Sequence, residues 1–150
     1  MYNIEMIEKF FLSKESMSPK KLQKLLYYAY AWTLVFKNKD VDHITIKLFE
    51  DQIQAWAHGP MIPNIYFKYC DRRMDIIPML SDADLSQIDS ETLDILHQVW
   101  KLYGKYTDNQ LEEMSCREDP WKLARDENFV LETRANIISD EQIFVYYNDL

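Results

Sequence analysis

Between Ser18 and Phe36 the chain carries apolar residues almost all the way round a helix, so whatever else it forms has to pack around that helix. Ser18 followed by Pro19 predicts the start. Serine caps a helix from outside, and proline fits the first helical position, where an N–H would have no intrahelical partner. Leu22, Leu25, Leu26, Ala29, Trp32 and Phe36 form one stripe, and Tyr27, Ala31, Leu34 and Val35 add a second. A helix with one wet side needs a single stripe; two predict a central helix packed on several sides.

Shorter helices are expected around it. Asn3 caps a helix running to about Leu12, with Ile4, Ile7, Phe10 and Phe11 at helical spacing, and Ser13 to Met17 reads as a linker. After a polar turn from Lys37 to Asp42, the alternation of Ile44, Ile46 and Leu48 with Thr45 and Lys47 predicts a short half-buried strand. Phe49, Ile53 and Trp56 fit a helical turn and an extended chain equally well. The polar stretch from Asp71 to Asp89 reads as a surface excursion with a turn of helix near Asp82 to Ile88. Ser90 is read as the cap of a helix bearing Leu93, Leu96, Val99, Trp100 and Tyr103, stopped by Gly104. Thr107 with Gln110, and Ser139 with Gln142, have the spacing of capping boxes, and Asp119-Pro120-Trp121 starts another helix. A turn near Arg134 to Ile138 precedes the closing helix with Ile143, Phe144, Tyr146 and Tyr147. The expectation is a mainly α, compact single-domain bundle of about six to eight helices over residues 1–150, with one short strand or hairpin near residues 43–57.

One corner departs from this pattern. Ala55 to Tyr69 holds one of two glycines and two of five prolines among a tryptophan, two tyrosines and a histidine. Gly59 before Pro60 is pushed toward extended or glycine-only backbone, and Pro63 fixes a further dihedral before helical spacing resumes. The backbone there is largely preset.

Composition bounds the function. A hydrophobic content of 47% over 150 residues suffices for one core, and a formal charge of -8 opposes nonspecific attraction to nucleic-acid phosphates or anionic lipid. Cys70 and Cys116 are far apart and read as free thiols. With no signal-peptide pattern and no apolar run long enough to span a bilayer, a cytoplasmic protein is expected.

Few residues assemble into recognisable chemistry. Two glycines cannot build a phosphate-cradling loop. Asp94 and His97 share a helix face at i, i+3, but a di-metal site of that type needs a second copy and further carboxylates, so no metal or cofactor is expected. His58 with Cys70 or Ser81 as nucleophile would make a small hydrolase; a histidine bonded to turn backbone is the better reading. Lys14, Lys20, Lys21 and Lys24, with Arg72 and Arg73 further on, are read as solvated; those opening the long helix work slightly against its dipole, which points to a partner or to an acid elsewhere in the chain that offsets them. Asp108, Glu112 and Glu113 would face phosphates, which rules the helix after Thr107 out as a DNA reader. Aromatics remain: ten Tyr, seven Phe and four Trp, more than one core needs. Tyr27, Tyr28, Tyr30, Trp56, Tyr66 and Tyr69 are candidates either for core or for a binding surface.

The run Lys21-Leu22-Gln23-Lys24-Leu25-Leu26-Tyr27-Tyr28-Ala29, then Ala55-Trp56-Ala57-His58-Gly59-Pro60 with Pro63 and Tyr66, resembles the Panacea domain, also described as the SocA-like antitoxin or phage-associated GepA-type family. Asp119-Pro120-Trp121 and the closing helix look like later marks of it; Met61 stands where many members have valine. The resemblance implies a mainly α-helical antitoxin that binds a cognate toxin protein, with no enzymatic activity and no DNA-binding domain within these residues. An alternative is a proteolytic adaptor delivering the toxin to a protease. It marks Lys24, Leu25, Tyr27, Trp56, Gly59, Pro60, Pro63 and Trp121 as structural, and it directs the search for a partner surface to Tyr27, Tyr30, Trp56, His58, Tyr66 and Tyr69.

Overall fold

The computed structural model describes residues 1–71, 76–126 and 136–150; Arg72, Arg73 and the start of the turn expected near residue 134 lie outside the described residues. Asn3 caps α1 (Ile4–Leu12), its side chain accepting from the Glu5 N–H at 3.0 Å. Ser18 caps α2 (Pro19–Lys37) through the Lys21 N–H at 3.1 Å. Every residue of α2 from Leu22 to Ala31 is buried, because the helix is enclosed by α1, α3 (Pro63–Tyr69), α4 (Ser90–Tyr103), α5 (Asp108–Cys116) and α7 (Asp140–Asn148). With α6 (Asp119–Asp126), seven helices make up the described fold, which is mainly α as expected. The apolar stripe stops earlier than its sequence suggests: Phe36 is exposed, its ring resting on Trp32.

The strand expected at Ile44 to Leu48 does not form. Val41–His43 is a 3-10 turn; the start of the segment after it is held by the Asn38 side chain, and its end by the Tyr2 N–H, which donates to the Leu48 carbonyl at 2.9 Å. Asn38 Oδ1 accepts from the N–H groups of Thr45 and Ile46 at 2.8 and 2.9 Å, while its Nδ2 donates to the carbonyls of Leu34 and Ile46. An asparagine amide thus supplies the donors and acceptor that a neighbouring strand would have given. The sheet lies further on. β1 (Gln54–Trp56) pairs with β2 (Gly59–Met61) across the two-residue turn Ala57-His58, and β3 (Asn136–Ile137) adds to the other side of β1, all antiparallel in the order β2-β1-β3. Phe49 to Trp56 is therefore an extended approach, not a helical turn.

Three smaller expectations are also corrected. Asp82 to Ile88 carries turns but no helix. The cap of α4 is Asp89, whose carboxylate accepts from the Thr92 N–H at 2.7 Å, so Ser90 is the first helical residue. Gly104 follows α4 in right-handed helical backbone; its lack of a side chain matters because an added Cβ would lie 2.6 Å from the Trp100 ring. The capping box at Thr107 and Gln110 is complete, whereas Ser139 makes the cap to Gln142 N–H.

Candidate functional site

The corner is built from α2 outward. Gln23 and Lys24 sit side by side on α2, buried, and both reach β2 and the residue after it. The Gln23 amide accepts from the Ile62 N–H at 2.8 Å and donates to the Ile62 carbonyl at 3.0 Å, pairing with that residue as a strand would. Lys24 Nζ donates to the Pro60 carbonyl at 3.0 Å. β2 is an edge of the sheet, and an edge leaves backbone groups unpaired. Here α2 side chains satisfy them, which also explains why Pro60, with no N–H to give a ladder, is tolerated in a strand.

Gly59 has φ of +108°, a conformation that side-chain-bearing residues rarely adopt. A Cβ there would also meet Lys24 Cε at 3.0 Å and Ser115 Oγ at 3.1 Å. The turn can therefore lie flat against α2 and α5 only as glycine. Burial pushes the Lys24 ammonium down to about 8, against the opposing influence of Cys116 and Glu112, so it keeps its proton at neutral pH. From the far side, Trp121 Nε1 donates to the Trp56 carbonyl at 2.8 Å, and Arg125 donates to the Ala55 carbonyl at 3.2 Å while covering the Trp121 ring. Lys24, Gly59, Pro60 and Trp121, all expected to be structural, are parts of one clamp. Gln23 and Arg125 complete it. In the sequence Gln23 is a polar residue on an otherwise apolar helix face, and that contrast marks it.

The six candidates for a partner surface divide. Tyr27, Tyr30 and Tyr69 are buried, so of the two roles left open for them they occupy the core. Their hydroxyls find partners inside: Tyr30 with Asp140 at 2.8 Å, Tyr69 with the buried Glu8 at 2.8 Å, and Tyr27 with Tyr147 at 3.0 Å. Tyr147 and Tyr28 both donate to Glu118 Oε1, at 2.6 and 3.0 Å. Burial raises the Glu118 carboxyl above the usual glutamate range despite these two donors. A tyrosine that ends on an internal acceptor is core material, and this accounts for much of the aromatic excess.

Trp56, His58 and Tyr66 remain at the surface, Trp56 partly buried. The Trp56 ring packs against Tyr66 at 5.0 Å, Tyr66 meets Phe67 edge-on at 5.5 Å, and Phe67 is 64% exposed. Phe67 was not singled out from sequence, since its place beside Tyr66 on a short helix does not say which face is wet. His58 projects from the hairpin turn and bonds Glu112 Oε2 at 3.0 Å, not turn backbone. Glu112 also takes Lys20 at 2.6 Å, and the hydrogen bonds from these two partners, Lys20 first, hold its carboxyl below the usual range. Lys21 pairs with Glu15, so Lys20 and Lys21 are offset by acids, whereas Lys24, expected to be solvated, is buried on the Pro60 carbonyl. Cys70 Sγ is directed to the Phe67 carbonyl and Asp71, and among the described residues neither it nor Ser81 is a hydrogen-bond partner of His58. His97 packs its ring against Phe10 at 4.9 Å.

These features define a mainly α domain in which a glycine-proline hairpin is clamped onto a central helix and carries aromatic rings outward. The sequence model of the family described as antitoxin SocA-like, Panacea domain, matches residues 22–122, and the chain belongs to that family. The matched span opens with the helix of the clamp and closes just past Trp121, so it takes in the hairpin and most of what holds it. No curated protein and no solved structure matches the chain. No helix among the described residues is long and apolar enough to cross a membrane.

Proposed function

We propose that residues 1–150 act as one antitoxin domain in the cytoplasm, neutralising a cognate toxin protein by direct binding through the corner formed by Trp56, His58, Tyr66 and Phe67. The observation that carries this reading is the pairing of exposed rings with a fixed backbone: Trp56 and Tyr66 stand on a hairpin and a helix whose junction is clamped by Gln23, Lys24 and Trp121. Aromatic side chains bury large areas at small entropic cost, and a preset backbone removes a further cost of ordering on association. Tyr27, Tyr30 and Tyr69 serve from behind, as core that holds α2 and α3 in place. The corner works as a binding surface, without catalysis.

Co-expression tests this directly. The protein encoded beside this gene should arrest growth alone and be neutralised by the wild-type chain, and Trp56→Ala or Tyr66→Ala, verified as folded by circular dichroism, should weaken rescue. A harmless neighbour, or full rescue by both folded variants, overturns the reading.

A further inference from the structure

A second surface lies on the part of the chain that the family match leaves out. α6 and α7 pack side by side, and between them runs a groove of about 440 Å³ lined by Asp119, Leu123, Glu141, Val145, Tyr146 and Leu150, with Gln142 and Asp149 completing it. All but Asp119 fall after residue 122. The floor is apolar and open to water: Leu123, Val145 and Leu150 are 44%, 52% and 71% exposed. Asp119, Glu141 and Asp149 stand around it, and among the described residues no lysine or arginine lines it. Lys122 lies 3.6 Å from Asp119 and offsets one of the three charges.

We propose that this groove docks a cationic amphipathic helix of another protein. An apolar trough between two helices accepts side chains spaced as on one helical face, at i, i+3 or i+4, and i+7. Lysine or arginine on the flanks of such a helix meets Asp119, Glu141 and Asp149, and the net charge of -8 favours its approach. A second copy of this chain fits poorly. It brings the same negative charge to the acidic rim, and its lysines at the start of α2 are engaged by their own acids, Lys20 by Glu112 and Lys21 by Glu15. An acidic helix is repelled for the same reason. The groove shares no residue with the Trp56 corner, so this proposal stands or falls apart from the toxin reading.

A fluorescein-labelled leucine-lysine peptide of about 14 residues, a length that can hold a helix on a surface, is titrated with the full chain and compared with its leucine-glutamate counterpart. The proposal expects saturable binding of the lysine peptide, at least about tenfold weaker for the double variant Leu123→Ser, Val145→Ser and unchanged for Ile46→Ser, an exposed apolar residue outside the groove. The double variant keeps the acidic rim, so undiminished binding to it would show attraction by charge alone and overturn the proposal. Equal binding of the glutamate peptide would overturn it too. So would a concentration-dependent dimer in sedimentation that the double variant abolishes, since the groove is then covered by a second copy. Should the double variant unfold, Glu141→Gln with Asp149→Asn, both at exposed positions, replaces it: weaker binding with a shallower salt dependence supports the proposal, and identical titrations refute it.

Discussion

Gly59 answers to two constraints at once, a positive φ and the Lys24 and Ser115 side chains beneath it. Gly59→Ala meets both, and the expected loss is about 2 kcal/mol of unfolding free energy by urea titration, as for a side chain forced into left-handed backbone. Lys24 offers a test in which the sign is fixed by the direction of its shift. Its ammonium is depressed from 10.5 to about 8 in the folded chain, so between these values the unfolded state binds more protons and stability rises with pH. Below pH 8 the cost of burying the charge is fully present. The stability difference between wild type and Lys24→Met should therefore move in favour of wild type by about 1.5 kcal/mol from pH 8 to 9.5. Cys116, whose thiol burial pushes up, is coupled to the Lys24 charge, so both proteins carry Cys116→Ser and the comparison isolates the lysine. A pH-independent difference would mean that burial beneath the hairpin does not depress the Lys24 ammonium.

At the scale of elements, Glu118 ties the start of α6 to α2 and α7 through the hydroxyls of Tyr28 and Tyr147. Its carboxyl is raised by burial, so its contribution is fully present below the unfolded glutamate range and lost as pH rises through the folded value. Glu118→Gln removes the charge and keeps an acceptor, and should lie within about 1 kcal/mol of wild type at pH 7 in thermal unfolding. Glu118→Ala leaves two hydroxyls without an acceptor and should cost roughly 2–4 kcal/mol. Equal losses would show that the network contributes nothing beyond packing. Element starts of this kind were legible in the sequence because they depend on neighbours in the chain: Asn3, Ser18 and Thr107 each cap the helix expected of them. What failed depends on contacts across the fold. The alternation at Ile44 to Leu48 is that of a strand, but the Thr45 and Ile46 N–H groups go to the Asn38 side chain, and one described backbone bond, Tyr2 N–H to the Leu48 carbonyl at 2.9 Å, does not make a ladder. The hairpin formed around Gly59 because Gln23 and Lys24 wait for it some thirty-six residues earlier in the chain, a separation that periodicity does not report.

For the whole molecule, the corner was visible as a concentration of glycine, proline and aromatic residues, and the order of its two sequence blocks marked the family. Which rings face outward was not visible. Tyr27, Tyr28 and Tyr30 look the same in sequence as Tyr66; they are core because Tyr147, Glu118 and Asp140 arrive from the C-terminal helices with acceptors for their hydroxyls. Toxin recognition, as proposed, falls on Trp56, His58, Tyr66 and Phe67. Titration calorimetry of the purified chain with the protein encoded by the adjacent gene tests this most directly. Saturable binding, weakened about tenfold or more by Tyr66→Ala and by Trp56→Ala in folded variants and unchanged by Ile46→Ser, is the result predicted. Absence of binding, or an affinity that neither corner variant alters, would contradict it.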